Sequence, residues 1–241
     1  MEASNTYVID GVEITSKPPR ARRKADVSRG RRHELEEPPS PPDSPEVDIA
    51  AEVEELASES HEFGYLDHPA DVIITGSGKH FCRALESIIL AMFGYITDTS
   101  LVDARSRRSI SATGKSLNQL LFHVLVECLY MHNGHGFVAR YVRVEGDVDV
   151  LRLLGGDTSA EVTVSLYGDI YDRKLHTCGT EIKAITYHGL KTQMTVGDQA
   201  VTLTDDPAEG TSPDAISHFL RSIDADSLKT AEFKLFAHVD I

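Results

Sequence analysis

Two segments of the chain repeat apolar residues at positions i, i+3, i+4, i+7, i+8, i+11 and i+12, the spacing of an amphipathic helix. The first set is Phe81, Ala84, Leu85, Ile88, Ile89, Met92 and Phe93, and the second is Leu117, Leu120, Leu121, Val124, Leu125, Cys128 and Leu129. Ser116 and Gln119 form a capping box before the second helix, and Asn133-Gly134 predicts its end. The first helix is predicted to end near Gly94, and His80 is a weak cap at its start.

Several short segments on both sides of these helices have the β-branched or alternating character of strands. They are residues 72–75, 109–112, 141–145, 161–166 and 181–187, and a last run that alternates Phe233, Leu235, Ala237, Val239 and Ile241. The order lacks the regular βαβ alternation of a doubly wound fold. The pattern therefore predicts an α+β fold, a two-layer sandwich in which the two amphipathic helices pack on one face of a mixed β-sheet.

The composition of the chain changes near residue 60. Residues 1–60 hold seven of the ten prolines, almost no aromatic residues, a basic stretch at 17–32 and an acidic stretch after it. Such a segment buries too little apolar surface to offset its chain entropy, so a disordered tail is predicted there. Residues 61–241 are predicted to form one domain, with an acidic insertion at 197–232. Ser212-Pro213 starts a short helix within that insertion, which either packs on its own domain or docks a partner.

The charge and cysteine content narrow the class of protein. Residues 61–241 carry 16 Lys and Arg against 24 Asp and Glu, a balance unlike that of domains that bind nucleic acid through a basic face. Three cysteines with no CxxC spacing fit a reducing compartment. No 18-residue apolar run or signal peptide is present, so no membrane association is expected and the cytoplasm, the nucleus or both are predicted. The basic stretch is either a nuclear-import signal, a nucleic-acid arm or solvated chain with no address.

Segments that resemble known phosphate-, calcium- and zinc-binding motifs lack residues that those motifs require. Residues 75–79 resemble the end of a phosphate-binding loop, but Ile73 replaces its first glycine and His80 its Ser or Thr. A calcium loop from Asp224 lacks glycine at its sixth position and Glu at its twelfth. The pairs His176/Cys178 and His132/His135 each lack the second pair that zinc requires.

Two acidic features remain as candidates. Asp67 and Asp71 flank His68-Pro69-Ala70 in a constrained turn, which is either a functional carboxylate pair or a turn in which Asp67 bonds its own backbone. Asp240 stands beside Ile241, and the free α-carboxylate expected there would give a doubly anionic strand end for which a cation is the natural partner.

Five blocks of sequence, in this order and spacing, resemble the archease family over roughly residues 62–241, with 197–232 matching poorly. The blocks are Tyr65-Leu66-Asp67-His68-Pro69-Ala70-Asp71, Ala91-Met92-Phe93-Gly94-Tyr95, Leu120-Leu121-Phe122-His123 with Glu127 and Leu129-Tyr130, Gly179-Thr180-Glu181-Ile182-Lys183-Ala184-Ile185-Thr186-Tyr187-His188, and Val239-Asp240-Ile241.

The resemblance implies a non-catalytic protein cofactor, not an enzyme, that stimulates guanylylation and multiple turnover of the RNA-splicing ligase in tRNA splicing. That ligase is the implied protein partner, and tRNA is contacted only indirectly. The resemblance also implies a bound divalent metal, usually calcium, held by Asp71, Asp240 and Ile241, with Asp67 as a further or supporting ligand. Lys183 is implied to contact a phosphate or the ligase. Pro69 stands where the family usually has Thr, which removes a hydroxyl and a backbone donor beside the implied site.

Two other functions stay open at this stage. A metal-dependent phosphohydrolase or nuclease acting on RNA ends would need a general base, for which His68 and His188 are the candidates near the site. A plain interaction module would carry the same acidic residues without using them.

Overall fold

The computed structural model describes residues 6–9, 12–15, 49–67, 71–155, 158–204, 208–223 and 225–241. The chain divides into two units, Met1–Glu46 and Val47–Ile241. In the first unit, β1 (Thr6–Ile9) pairs antiparallel with β2 (Val12–Thr15). The disordered tail was predicted for residues 1–60, and residues 1–5, 10–11 and 16–48 of it lie outside the described residues.

The second unit begins with a helix that composition did not predict. Helix α1 (Ala50–Ala57) lies within the range assigned to the tail, and its Leu56 side chain is buried at 2% exposure. Its eight residues are held by that one apolar contact and by the ion pairs of Glu52 with Arg107 and Glu55 with Arg143. A composition averaged over residues 1–60 does not reveal a helix of only eight residues.

Five strands of the second unit form one antiparallel sheet in the order β3-β4-β10-β8-β9. They are β3 (Glu62–Asp67), β4 (Asp71–Gly78), β8 (Ala184–Val196), β9 (Gln199–Thr204) and β10 (Glu232–Asp240). A second antiparallel sheet has the order β5-β7-β6, from β5 (Ser106–Gly114), β6 (Phe137–Glu145) and β7 (Ala160–Ile170).

Two long helices, α2 (Phe81–Ile96) and α3 (Leu117–His135), contact both sheets. Helix α2 packs on β3, β4 and β10 of the larger sheet and on β6 of the smaller one. Its residues 84–93 are all buried, as expected of a helix covered on more than one side. The predicted α+β fold with two amphipathic helices is confirmed, and the structure refines the single mixed sheet to two antiparallel ones.

Helix ends follow local signals, with small differences from the predictions. Gln119 N–H bonds Ser116 Oγ at 3.1 Å, which confirms the cap of α3. The helix continues past Asn133 to His135 because Gly136 adopts the left-handed conformation (φ 65°) that ends it. Helix α2 likewise runs past Gly94 to Ile96.

The remaining helices are short. A 3₁₀ turn, Thr99–Leu101, follows α2, and α4 spans Val150–Leu154. Helix α5 (Pro213–Ser222) is the helix that the sequence placed after Ser212, which accepts a hydrogen bond from Ala215 N–H. It buries Phe219, and α6 (Ala225–Leu228) follows it. No described helix is both long and apolar enough to cross a membrane.

Candidate functional site

Asp71 and Asp240 close the pairing between β4 and β10, where they are directly opposite each other. The next pair along, Val72 and Val239, is buried on the helix side of the sheet. Because side chains alternate along a strand, the two aspartates share the opposite face. Directly opposed Cβ atoms lie about 5 Å apart, so two carboxylates meet at this end of the sheet. Both residues are half-buried.

The same end of the sheet carries a lysine. The Lys183 N–H donates to the Asp240 carbonyl at 2.8 Å, and Lys183 Nζ donates to the main-chain oxygen of Ile241 at 2.5 Å. Asp240 also pairs with Ala184, the first residue of β8. Strand β8 therefore begins at Ala184, later than the 181–187 strand predicted from sequence.

Residues 179–183 are fixed by the end of α2. Gly179 and Thr180 donate their N–H groups to the Ile96 and Tyr95 carbonyls at 3.0 and 3.2 Å. These carbonyls belong to the last turn of the helix, where carbonyl groups have no N–H partner within the helix itself. A Cβ on Gly179 would lie 2.5 Å from the Ile96 oxygen, so the close approach requires glycine. Ile182 is buried at 1% exposure, which anchors the backbone next to Lys183.

Asp67 occupies a neighbouring register position. It ends β3 and pairs with Val72, one position from the Asp71–Asp240 pair. Its side chain, and all of His68, Pro69 and Ala70, lie outside what the structure describes. His188 falls in an irregular part of β8, where the register against β10 shifts between Phe236 and His238.

The donor set at this end of the sheet suits a hard cation. Two carboxylates and a main-chain oxygen are the ligands that calcium prefers, whereas zinc prefers imidazole and thiolate. Like charges directly opposite each other destabilise a strand pair, and a bound cation relieves that repulsion. The structure thus brings Asp71, Asp240, Ile241 and Lys183 to one end of the sheet, and the residues present fit a divalent oxygen-liganded ion.

A second group of possible metal ligands lies elsewhere, and no sequence pattern predicts it. Ligand atoms of Glu59, His61 and Glu86 lie within 4.8 Å of one another. Arg83 donates to both glutamates, at 2.9 Å for Glu86, and Arg143 donates to Glu59 at 2.7 Å. Since two guanidinium groups already face these carboxylates, a divalent cation would meet strong repulsion there. We read the group as an ion-pair network.

Glu86 is the buried centre of that network. It also accepts the Val144 N–H at 2.8 Å, which joins α2 to β6. Burial alone would raise the pKa of Glu86, but hydrogen bonds from His61, the Val144 N–H and Arg83 together lower it. The carboxylate is therefore held ionised by its partners.

The histidines of the two candidate zinc pairs, His176/Cys178 and His132/His135, have structural contacts. His176 Nδ1 accepts the Asp172 N–H at 2.9 Å within a turn. His132 Nδ1 lies 3.3 Å from the Phe137 carbonyl, and burial lowers the pKa of its imidazole. Neither geometry resembles a metal centre.

Residues 63–206 match the sequence profile of the Archease protein family. A protein archease-like of Drosophila melanogaster is 34% identical over 131 residues, which is 54% of this chain and 78% of that protein. A protein archease of Methanosarcina barkeri is 35% identical over 136 residues, 56% of this chain and 89% of that one. A Methanobacterium thermoautotrophicum protein solved in solution covers 74% of this chain and 98% of its own, with a TM-score of 0.47 and 22% identity.

The structure defines the class of the protein. It is an α+β protein with two antiparallel sheets and a pair of carboxylates at the end of one sheet. The sequence matches place it more narrowly: this chain belongs to the archease family. The profile match includes Asp71 and Lys183 and stops before Asp240.

Proposed function

We propose that this chain is a non-catalytic, metal-binding cofactor of the RNA-splicing ligase that acts in tRNA splicing. Membership of the archease family supports this proposal. The observation that carries it is the register of β4 and β10, which sets Asp71 against Asp240 beside Lys183. A site with carboxylates, a main-chain oxygen and a cation, but no nucleophile beside it among the described residues, suits an accessory role more than a complete active site.

In this proposal Asp71, Asp240 and the main-chain oxygen of Ile241 hold a divalent ion, most simply calcium. Asp67 is a further ligand or supports one. The ion would supply a point of positive charge that attracts phosphate or carboxylate oxygens. Lys183 adds a second positive group on the same side, fixed by Gly179, Thr180 and buried Ile182. The chain would present this end of the sheet to the ligase and promote transfer of guanylate to it, without contacting tRNA in the process.

The direct test is guanylylation of the cognate ligase by GTP in the presence and absence of this chain. We expect the wild type to increase both the guanylylated fraction and the number of turnovers, and Asp240→Ala and Asp71→Ala to lose most of that stimulation. Asp198→Ala is the matched control, because Asp198 lies in the exposed turn between β8 and β9. Full stimulation by Asp240→Ala would refute the proposed site.

Lys183 gives a separate test of the same end of the sheet. Lys183→Met keeps the aliphatic stem but removes the ammonium group that bonds Ile241. We expect at least a tenfold loss of ligase stimulation with an unchanged circular dichroism spectrum, while Lys174→Met, in an exposed turn, retains it. Cleavage or joining of cyclic-phosphate RNA by this chain alone would instead favour an enzyme.

A further inference from the structure

Strand β3 lies at one edge of the larger sheet, and its main chain is open on the side away from β4. Among the described residues it pairs only with β4, in a register without a bulge from Glu62 to Asp67. No described group outside β4 hydrogen-bonds its main chain. Alternate residues of the strand therefore present unpaired N–H and C=O groups on the open side. We call this open side, with the side chains of Phe63, Tyr65 and Leu66, the β3 edge.

On each of the other three sheet edges, a residue outside the sheet hydrogen-bonds a main-chain group of the edge strand. The pairs are Thr211 with both main-chain groups of Thr202 on β9 at 2.8 and 2.9 Å, Glu86 with the Val144 N–H on β6 at 2.8 Å, and His123 with the Thr113 carbonyl on β5 at 2.6 Å. The β3 edge also lacks the lysine, proline or bulge by which edge strands avoid pairing. Of the edges that the structure describes, it is the most open to another strand.

Large apolar side chains are exposed on both faces of β3. Phe63 and Tyr65, which are 44% and 42% exposed, lie on the face that carries α2, and Leu66, 48% exposed, lies on the opposite face. Tyr65 Oη donates to the Ala91 carbonyl of α2 at 2.9 Å, and the Phe63 and Tyr65 rings meet edge-on with centroids 6.4 Å apart. Both rings are thus held in place although they are exposed. Exposed apolar side chains beside an open main chain are typical of a site where another strand pairs.

The sequence of β3 is complementary to itself in an antiparallel register centred on Gly64. A two-fold axis through that position keeps the faces of both copies that carry α2 on the same side. Phe63 of each copy then stands opposite Tyr65 of the other, and aromatic cross-strand pairs of this kind stabilise a strand pair. Glu62 falls opposite Leu66 of the second copy, so no like charges face each other. At the axis Gly64 stands opposite itself, where two side chains would otherwise compete for space.

A shifted register matches less well. Centring the pair on Tyr65 would set Asp67 opposite Phe63, which places a charged residue against an apolar one twice. We propose that this chain forms a homodimer through the β3 edge, which joins the larger sheets of two copies into one continuous sheet. The pairing would form about four to six main-chain hydrogen bonds and bury the exposed aromatic rings. Because one strand per copy makes the contact, the interface is small and the dimer exchanges with the monomer.

This inference does not depend on the proposed ligase role, and its test uses the full chain alone. Sedimentation velocity over protein concentrations of about 5 to 500 µM should show a monomer that converts to a dimer as the concentration rises. A chain that stays monomeric over this whole range would overturn the proposal and leave the β3 edge as a site for a strand of another protein. Higher oligomers without a dimer would also overturn it, because a two-fold contact closes at two copies.

Leu66 tests the register, because it would stand opposite Glu62 of the second copy. Leu66→Glu sets like charges opposite each other twice, whereas Leu66→Lys creates two pairs of opposite charge. We expect dimerisation to be roughly tenfold weaker in the first variant and roughly tenfold tighter in the second. Glu62→Lys combined with Leu66→Glu should restore the dimer, and circular dichroism verifies each fold. Leu175→Glu, which puts the same charge at another exposed leucine, should change nothing. A dimer with the same affinity in both Leu66 variants would overturn the proposed register.

Gly64→Cys, made together with Cys178→Ser, gives a test that does not rely on charge. A Cβ at Gly64 would lie 3.4 Å from Thr75 Oγ1, an ordinary contact, so the fold accommodates the new side chain. Opposed Cβ atoms of a strand pair lie about 4.5–5.5 Å apart, which a small adjustment brings within reach of a disulfide. Mild oxidation should therefore link two copies, whereas Ser109→Cys on the exposed side of β5 should not link them. Failure of the Gly64→Cys chain to cross-link, or equal cross-linking through Ser109→Cys, would contradict the proposal.

Discussion

Asp71 and Asp240 face each other directly across two neighbouring strands, and no residue intervenes between them in the register. Two carboxylates so placed repel each other in water. A cation bound at the proposed site would relieve this repulsion and so stabilise the larger sheet.

Calcium should therefore stabilise the wild type and not a variant with one carboxylate. In chelator, Asp240→Asn should be as stable as the wild type or more so by about 0.2–1 kcal/mol, because the repulsion is gone. At a calcium concentration 100 times its Kd, the wild type should gain about 2.7 kcal/mol, whereas Asp240→Asn should gain little. Thermal unfolding with chelator and with calcium measures both. An equal calcium shift in the two proteins would contradict a site at Asp240, and Asp198→Asn serves as control.

Gly179→Ala should destabilise the fold because the added methyl group meets backbone. Its Cβ would lie 2.5 Å from the Ile96 oxygen and 2.6 Å from the Tyr95 oxygen. Overpacking of this kind costs about 1–3 kcal/mol. Gly134→Ala is the matched control within α3, where the methyl group finds an ordinary 3.5 Å contact with the Tyr130 ring and should stabilise by up to about 1 kcal/mol. Urea unfolding at pH 7 compares them, and opposite signs are expected.

Stability should fall in acid through Glu86. Its pKa is lowered from the ordinary value of 4.5, so the group binds a proton more readily in the unfolded chain. Its contribution is complete above about pH 4.5 and is lost as the pH falls through the lower folded-state pKa. Glu86→Gln should cost roughly 1–3 kcal/mol at pH 7 and less at pH 3. Urea unfolding from pH 7 to 3 tests this, and parallel curves for the two proteins would contradict it.

The three cysteines should differ sharply in reactivity. Burial raises the pKa of the Cys82 thiol to about 11 and raises that of the fully buried Cys128 further, so neither forms a thiolate readily. Cys178 is exposed. Iodoacetamide at pH 8 should therefore modify Cys178 in the native protein and the other two only in denaturant, as read by mass spectrometry. Cys178→Ser should remove the native modification.

Local patterns in the sequence were enough for the elements with strong periodicity. The stripes of α2 and α3, the Ser116 and Ser212 caps and the alternation of β10 all depend on residues within a few positions of each other. Strands β3 and β9 were not predicted, and neither was the division into two sheets. Those features depend on pairing between distant segments, such as β10 between β4 and β8, which no local pattern encodes.

The candidate site shows the same limit. Spacing marked Asp67 and Asp71 as a constrained turn and Asp240 as part of an anionic strand end, but it did not bring Asp71 and Asp240 together. The resemblance to archease suggested that Asp71 and Asp240 act together, and the register of β4 and β10 places the two residues opposite each other. The network of Glu59 and His61, in the connection between α1 and β3, with Glu86 of α2 has no signature in sequence. The hydrogen bonds of Lys183 depend equally on tertiary structure.

The position of β10 has a consequence for folding. It is the latest strand of the larger sheet in chain order, yet it lies in the centre, with β4 on one side and β8 on the other. Until residues 232–240 have been synthesised, β4 and β8 each lack the strand that lies between them. Their edges then carry unpaired N–H and C=O groups, and such edges promote aggregation. A ribosome stalled before residue 232 would thus expose an open sheet that has neither its central hydrogen bonds nor the second aspartate.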